Sequence, residues 1–237
     1  MGKVCCGVSG WAFAKWKPDF YPAKLQSAKF LSFYASRLNS VEVNYTFRSF
    51  PTEKLLGNWI AATPPDFKFA IKAHQSITHI MRLKNVADLT AKFIASLEPL
   101  QQANKLGPVL FQLPSNLKFD LKLLQDFLTE LPNTVRATVE FQDASWFVED
   151  VFGVLSKRNV ALCRTESDHL VTPEKQTATF SYLRLRKKGY SASDRAAIAC
   201  RVRSLAQQFE VFAYYKQFDA PECPLQAEEL LNATKSI

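Results

Sequence analysis

Residues 40–44 read Ser40-Val41-Glu42-Val43-Asn44, an alternation of apolar and polar side chains. In an extended chain successive side chains point to opposite faces, so Val41 and Val43 share one face while Glu42 and Asn44 share the other. Such a strand needs hydrophobic cover on one side and a polar setting on the other. Similar β-rich runs recur at Val4 to Val8, Phe67 to Ala73, Val109 to Leu113, Arg136 to Phe141, Val160 to Cys163, Thr179 to Arg184 and Val211 to Tyr215, which makes eight with the first. Between most of them apolar residues fall at helical spacing, as in Phe30, Leu31, Phe33, Tyr34 and Leu38, or Leu121, Leu124, Phe127, Leu128 and Leu131.

Helix-start signals support this alternation: Pro51-Thr52-Glu53, Phe119-Asp120 and Ser191 to Asp194 each precede a helical run. The sixth unit differs, because only 15 residues separate Cys163 from Thr179 and Pro173 lies among them. A loop or a single helical turn is expected there. Alternating strands and helices imply a parallel sheet, and eight of them favour closure over an open sheet. The expected fold is α/β, a single (β/α)8 TIM-like barrel with an abbreviated sixth β/α unit, occupying residues 1–237 as one domain.

Lys and Arg number 30 against 22 Asp and Glu, a net charge of +8 that favours attraction to phosphates, nucleic acid or other anions. Five cysteines and three histidines show no C-x-x-C pair and no ligand spacing, so buried thiols are expected and a metal is not. No apolar run approaches the roughly 18 residues of a membrane span, and Met1-Gly2-Lys3-Val4 enters a strand-like segment without a signal-peptide pattern. A cytoplasmic protein without a membrane partner is expected. The strings G-x-S-x-G, H-E-x-x-H and G-x-G-x-x-G are missing, which argues against the commonest hydrolase, zinc-protease and dinucleotide chemistries; no cofactor is expected.

Several strings carry a family resemblance: Gly7-Val8-Ser9-Gly10-Trp11, Phe20-Tyr21-Pro22, Asn39 to Phe47, Phe67 to Ala73, Thr78-His79, Arg82-Leu83, Leu106 to Pro114, Val139-Glu140-Phe141 and Ser145-Trp146. Together they resemble the YecE-like family, domain of unknown function 72, over most of the chain. The resemblance implies a TIM-barrel-like fold and no settled activity. Three places depart from the family pattern: Gln142-Asp143 stands where the family has Arg-His, Arg186 where it has His, and Lys216-Gln217 where it has an Asn pair.

Strand parity gathers a candidate site. Taking the apolar residues as the outer face leaves Glu42, Asn44, Lys72, Gln112, Glu140 and Arg184 pointing inward near the C-terminal ends of their strands, where barrel enzymes place their active sites. Two carboxylates and two cations sum to zero, as a partly buried cluster requires. On the functional reading Lys72 and Arg184, with Asn44 and Gln112, hold an anionic substrate, Glu42 or Glu140 serves as general base, and His79 exchanges protons. On the structural reading the same charges only fix strand register. A cluster built for a ligand is expected to keep its stability when Glu140 or Lys72 is neutralised.

The run Arg184, Arg186, Lys187, Lys188, Gly189 follows the seventh strand, where many barrels hold phosphate, so Arg186 and Lys188 join the expected binding residues. The aromatic group Trp11, Phe13, Trp16, Phe20 and Tyr21 either stacks on a ligand, led by Trp11, or packs over the barrel mouth. The expected partner is a small anionic or phosphorylated molecule. A nucleic acid is the alternative partner, and a non-catalytic scaffold the plainest reading.

Overall fold

The computed structural model describes residues 2–216 and 221–235. Eight strands run in chain order: β1 (Val4–Val8), β2 (Ser40–Val43), β3 (Lys68–Lys72), β4 (Leu106–Gln112), β5 (Ala137–Glu140), β6 (Ala161–Glu166), β7 (Phe180–Leu185) and β8 (Glu210–Tyr215). Parallel ladders link each neighbour from β2 through β8 and on to β1. The helices are α1 (Phe30–Arg37), α2 (Glu53–Ala61), α3 (Ala87–Ala95), α4 (Glu98–Gln102), α5 (Leu121–Glu130), α6 (Glu149–Lys157), α7 (Ala192–Ala206) and α8 (Glu222–Lys235).

The expected helix starts are true caps. Thr52 accepts from Leu55 N, Asp120 from Leu123 N, and Ser191 forms a reciprocal capping box with Asp194. Two apolar layers follow from strand parity. Cys5, Ala70, Leu110, Ala161, Cys163, Phe180, Tyr182, Phe212 and Tyr214 fill the lumen. The opposite faces, including Val41, Val43, Phe69, Ile71, Val109, Phe111 and Val139, join the outer core shared with the helices. All five cysteines are free thiols, four of them buried.

The sixth unit has no helix between β6 and β7. The chain instead folds back along β6 and supplies threonines in place of a helix. Thr172 Oγ1 accepts from Thr165 N at 3.1 Å, while Thr177 Oγ1 accepts from Leu162 N and donates to Val160 O, both at 2.8 Å. Arg164, on the outer face of β6 and buried, pairs with Glu174 at 3.3 Å and Gln176 at 2.9 Å.

The barrel closes between β1 and β2 through side chains more than through backbone pairing. A single parallel bridge joins Ser9 to Glu42. Below it the Asn39 carboxamide takes the place of a peptide unit: its Oδ1 accepts from Cys6 N and its Nδ2 donates to Val4 O, both at 2.8 Å. The buried Tyr34 hydroxyl, from α1, accepts from Val8 N at 2.8 Å and donates to Ser40 O at 2.9 Å. Gly7 is required here, since a Cβ would lie 1.9 Å from Ser40 O.

Because each seam group would strand backbone partners if removed, and those of Asn39 are part-buried, Asn39→Ala is expected to cost about 2–3 kcal/mol, the lower part of the range of about 1–3 kcal/mol for each of two unsatisfied groups. Urea denaturation checks this, and an unchanged midpoint would show that the seam is held elsewhere.

Candidate active site

Six strands contribute to one hydrogen-bond network at the C-terminal end of the lumen. Lys72 Nζ, at the end of β3, donates to Gln112 Oε1 of β4 at 2.7 Å, and Gln112 Nε2 donates to Glu140 Oε2 of β5 at 2.7 Å. Glu140 also accepts from Arg184 Nη1 of β7, from Thr165 Oγ1 of β6 at 3.0 Å and from Arg186 Nη1 at 3.1 Å. Arg184 Nη2 reaches Glu42 Oε1 of β2 at 2.7 Å, and Glu42 accepts further from Ser9 Oγ at 2.5 Å and Tyr182 hydroxyl at 2.8 Å. Glu42, Glu140 and Arg184 are all 0% exposed.

The charge balance differs from the neutral sum expected of four residues. Arg186 joins the cluster directly, and Lys216, following β8, lies within the field of Arg184, Arg186, Glu42 and Lys72. Four cations therefore converge on Glu42 and Glu140. Burial and the charges of Arg184 and Arg186 push Lys216 down to about 7. Burial and Arg184 push Lys72 down to about 8, against the pull of both carboxylates. Although burial opposes ionisation of Glu140, Arg184 and Arg186 hold its carboxyl at about 2. Glu42 is likewise lowered, with Arg184 and the Ser9 hydroxyl outweighing its burial.

His79 sits on the one-turn segment after β3, with Nδ1 2.9 Å from Thr78 Oγ1. Its ring stands edge-on to Phe47 at 4.9 Å, and the Lys72 ammonium lies 3.9 Å from the same Phe47 ring. Burial, then Lys72 and Arg82, lower the His79 pKa, so its ring is neutral near pH 7.

A cleft of about 410 Å³ opens beside Glu140, lined by residues that include Thr165, Ser167, Asp168, His169, Arg186 and Lys188. The basic run divides: Arg186 turns inward to bind Glu140, Lys187 pairs with Glu166 at 2.8 Å, and the exposed Lys188 lines the rim of the cleft. Gly189 turns the loop with φ +87°, a conformation that favours glycine.

Asn44 does not join the charged network as expected. β2 ends at Val43 and the chain turns at once into the 3₁₀ turn Tyr45–Phe47, so Asn44 leaves the inward alternation. It lines a separate cleft with Trp11. The aromatic group after β1 divides: Trp16, Phe20 and Tyr21 are buried, Tyr21 stacked on Phe30 of α1 at 4.3 Å, whereas Trp11 and Phe13 face the cleft. Gln142 lines the cleft beside Glu140, Asp143 caps a turn and pairs with Lys118, and Gln217 lies outside the described residues. Ser9, Thr165, Tyr182 and Lys216 were not among the expected site residues. Parity carries the signal for the last three: Thr165 follows Cys163, Tyr182 precedes Arg184, and Lys216 follows Phe212 and Tyr214 on the inward face.

A family model described as protein of unknown function DUF72 matches residues 5–236. The chain belongs to the DUF72 family. It is 29% identical over 155 residues to the UPF0759 protein YunF of Bacillus subtilis, covering 61% of this chain and 52% of that protein. It is also 29% identical over 147 residues to the UPF0759 protein YecE of Escherichia coli K12, covering 62% and 51%. These matches span about half the length of the curated relatives. A DUF72 protein crystal structure from Thermotoga maritima superposes with a TM-score of 0.88 at 23% identity, covering 99% of this chain and all of that one. An AP endonuclease family 2 protein from Brucella melitensis shares the fold at a TM-score of 0.56 and 9% identity, covering 95% and 97%. Among the described residues of this DUF72 protein, no group of three or more His, Cys, Asp or Glu side chains could hold a metal ion. No helix there is long and apolar enough to cross a membrane.

The geometry separates two substitutions that strand parity alone treats alike. Glu140→Gln leaves the buried Arg184 without half of its counter-charge and is expected to cost about 3–5 kcal/mol, whereas Lys72→Met removes a mutually repelled cation and is expected to leave the melting temperature unchanged or raised. Lysine titration gives a further expectation. Between about 7 and its ordinary 10.5, Lys216 has released its proton in the native chain but not in the unfolded one, so stability rises with pH in that window. The melting temperature should therefore climb from pH 7 to about 8, before the unfolded thiols, whose ordinary value is about 8.5, ionise and reverse the trend, and Lys216→Met should flatten the climb.

Proposed function

We propose that this DUF72 barrel binds a small phosphorylated or otherwise anionic molecule at the C-terminal mouth and acts on it by acid/base chemistry. The observation that carries the proposal is the convergence of Lys72, Arg184, Arg186 and Lys216 on the mouth, with Lys72 and Lys216 held near or just above neutrality by burial and by the neighbouring arginines. An anion in the cleft beside Arg186 and Lys188 would meet two of the cations directly.

Roles divide by environment. Glu42 and Glu140, as strongly stabilised carboxylates, are weak bases; they anchor Arg184 and set the field. Lys216, poised about 7, exists in both protonation states at neutral pH and is best suited to pass a proton. His79, neutral and beside Phe47, is a second proton carrier. Lys72, Gln112, Arg184, Arg186 and Lys188 orient the anion.

Sulfate stays fully charged from pH 6 to 9, so its affinity reports the protein. Calorimetry is expected to show binding that weakens as Lys216 and then Lys72 lose their protons, since a lysine attracts an anion only below its pKa. Arg186→Ala should weaken sulfate by roughly tenfold, the worth of one hydrogen bond to a charged group. If sulfate fails to bind while a single-stranded oligonucleotide binds with a steep salt dependence that Lys187→Ala/Lys188→Ala flattens, the partner is a nucleic acid instead.

A further inference from the structure

The cleft beside Glu140 draws its lining from four consecutive strand ends: Ser115 after β4, Gln142 after β5, Asp168 and His169 after β6, and Arg186 and Lys188 after β7. Arg186 ties it to the charged network through its 3.1 Å bond to Glu140, which lines the same cleft. Neighbouring strands stand about 4.8 Å apart, so roughly 10 Å separates the β7 end of the cleft from the β5 end. A single phosphate group is much shorter than that.

The missing sixth helix shapes the middle of the wall. In its place the chain turns back after β6, and the turn is closed on itself. Ser167 N and Ser167 Oγ donate to Leu170 O at 3.3 Å and 3.0 Å, and Leu170 N donates to Ser167 Oγ at 3.1 Å. Asp168 and His169 occupy the tip of this turn, both exposed. Among the described residues, the side chains of Ser115, Gln142, Asp168, His169 and Lys188 form no hydrogen bond or ion pair with the protein. Deeper in the mouth Glu42, Gln112 and Glu140 are each held by neighbouring strands. The rim groups are therefore the ones with donors and acceptors to offer a ligand in exchange for water.

Charge changes sign along the cleft. Arg186 and Lys188 make its β7 end positive, whereas Asp168 places a carboxylate beside the path from there to Gln142. A ligand charged along its whole length would be repelled by Asp168. A neutral hydroxyl can donate to that carboxylate, and the amide of Gln142 and the hydroxyl of Ser115 can each both donate and accept.

We infer that the ligand is a monophosphorylated polyol, a sugar phosphate, with its phosphate on Arg186 and Lys188 and its hydroxyls along Asp168 and Gln142. Asp168 is then a specificity-determining residue: it accepts from hydroxyl groups and turns away a second anionic group. The inference rests on the anion-binding reading for the phosphate and on the rest of the cleft for the polyol.

Calorimetry on the intact protein tests it with inorganic phosphate, ribose 5-phosphate, glucose 6-phosphate, the two free sugars and tripolyphosphate. At least one sugar phosphate is expected to bind roughly tenfold more tightly than inorganic phosphate, the worth of one or two net hydrogen bonds. Asp168→Ala should erase that advantage at an unchanged melting temperature, leave inorganic phosphate bound at least as tightly, and strengthen tripolyphosphate. Gln142→Ala should reduce the advantage without weakening inorganic phosphate, and Arg186→Ala should weaken phosphate and sugar phosphate alike. If inorganic phosphate binds and neither sugar phosphate binds more tightly, or if the advantage survives Asp168→Ala, the polyol inference is wrong and the anion reading stands. If neither phosphate nor sugar phosphate binds, both are wrong. If a free sugar binds and loses affinity in Asp168→Ala while inorganic phosphate does not bind, the polyol half stands and the anion reading fails.

Discussion

The guanidinium of Arg184 lies fully buried between Glu42 and Glu140, and the upper half of the barrel is organised around it. Each of these groups would be expensive to bury alone; together they leave one another few unpaired atoms. Ser9, Tyr182, Gln112 and Thr165 supply the remaining donors to the two carboxylates. Because those donors come from separate strands, satisfying one buried arginine also fixes how β2, β4, β5, β6 and β7 stand relative to one another.

Stability and recognition therefore share the same residues without being the same thing. The Glu42–Arg184–Glu140 triad holds the lumen together and carries one net negative charge. Arg186 pairs with it directly, and Lys72 and Lys216 add positive charge around it. On the proposed reading these outer cations are what an arriving anion meets, and the triad is the rigid support that keeps them from moving apart.

The seam shows the same economy at lower polarity. β1 and β2 meet at the Ser9 to Glu42 bridge without a ladder, and Asn39 and Tyr34 supply donors and acceptors from side chains. Beyond that bridge the loops after β1 and β2 form the aromatic cleft.

The order of strands, the caps at Thr52, Asp120 and Ser191, the missing sixth helix, and the inward aim of Glu42, Lys72, Gln112, Glu140 and Arg184 were all legible in the sequence. Each depends on local geometry: a strand alternates its side chains every residue, and a cap needs its acceptor within three. Asn44 misleads because the alternation continues in sequence after the strand itself has ended. The gathering of Arg186 and Lys216 about the two carboxylates, the fate of Trp11 apart from Trp16 and Tyr21, and the seam role of Asn39 were decided only by the tertiary structure. Charge balance and cleft shape depend on distances between residues far apart in the chain, such as Glu42 and Arg184, and those distances exist only once the barrel has closed.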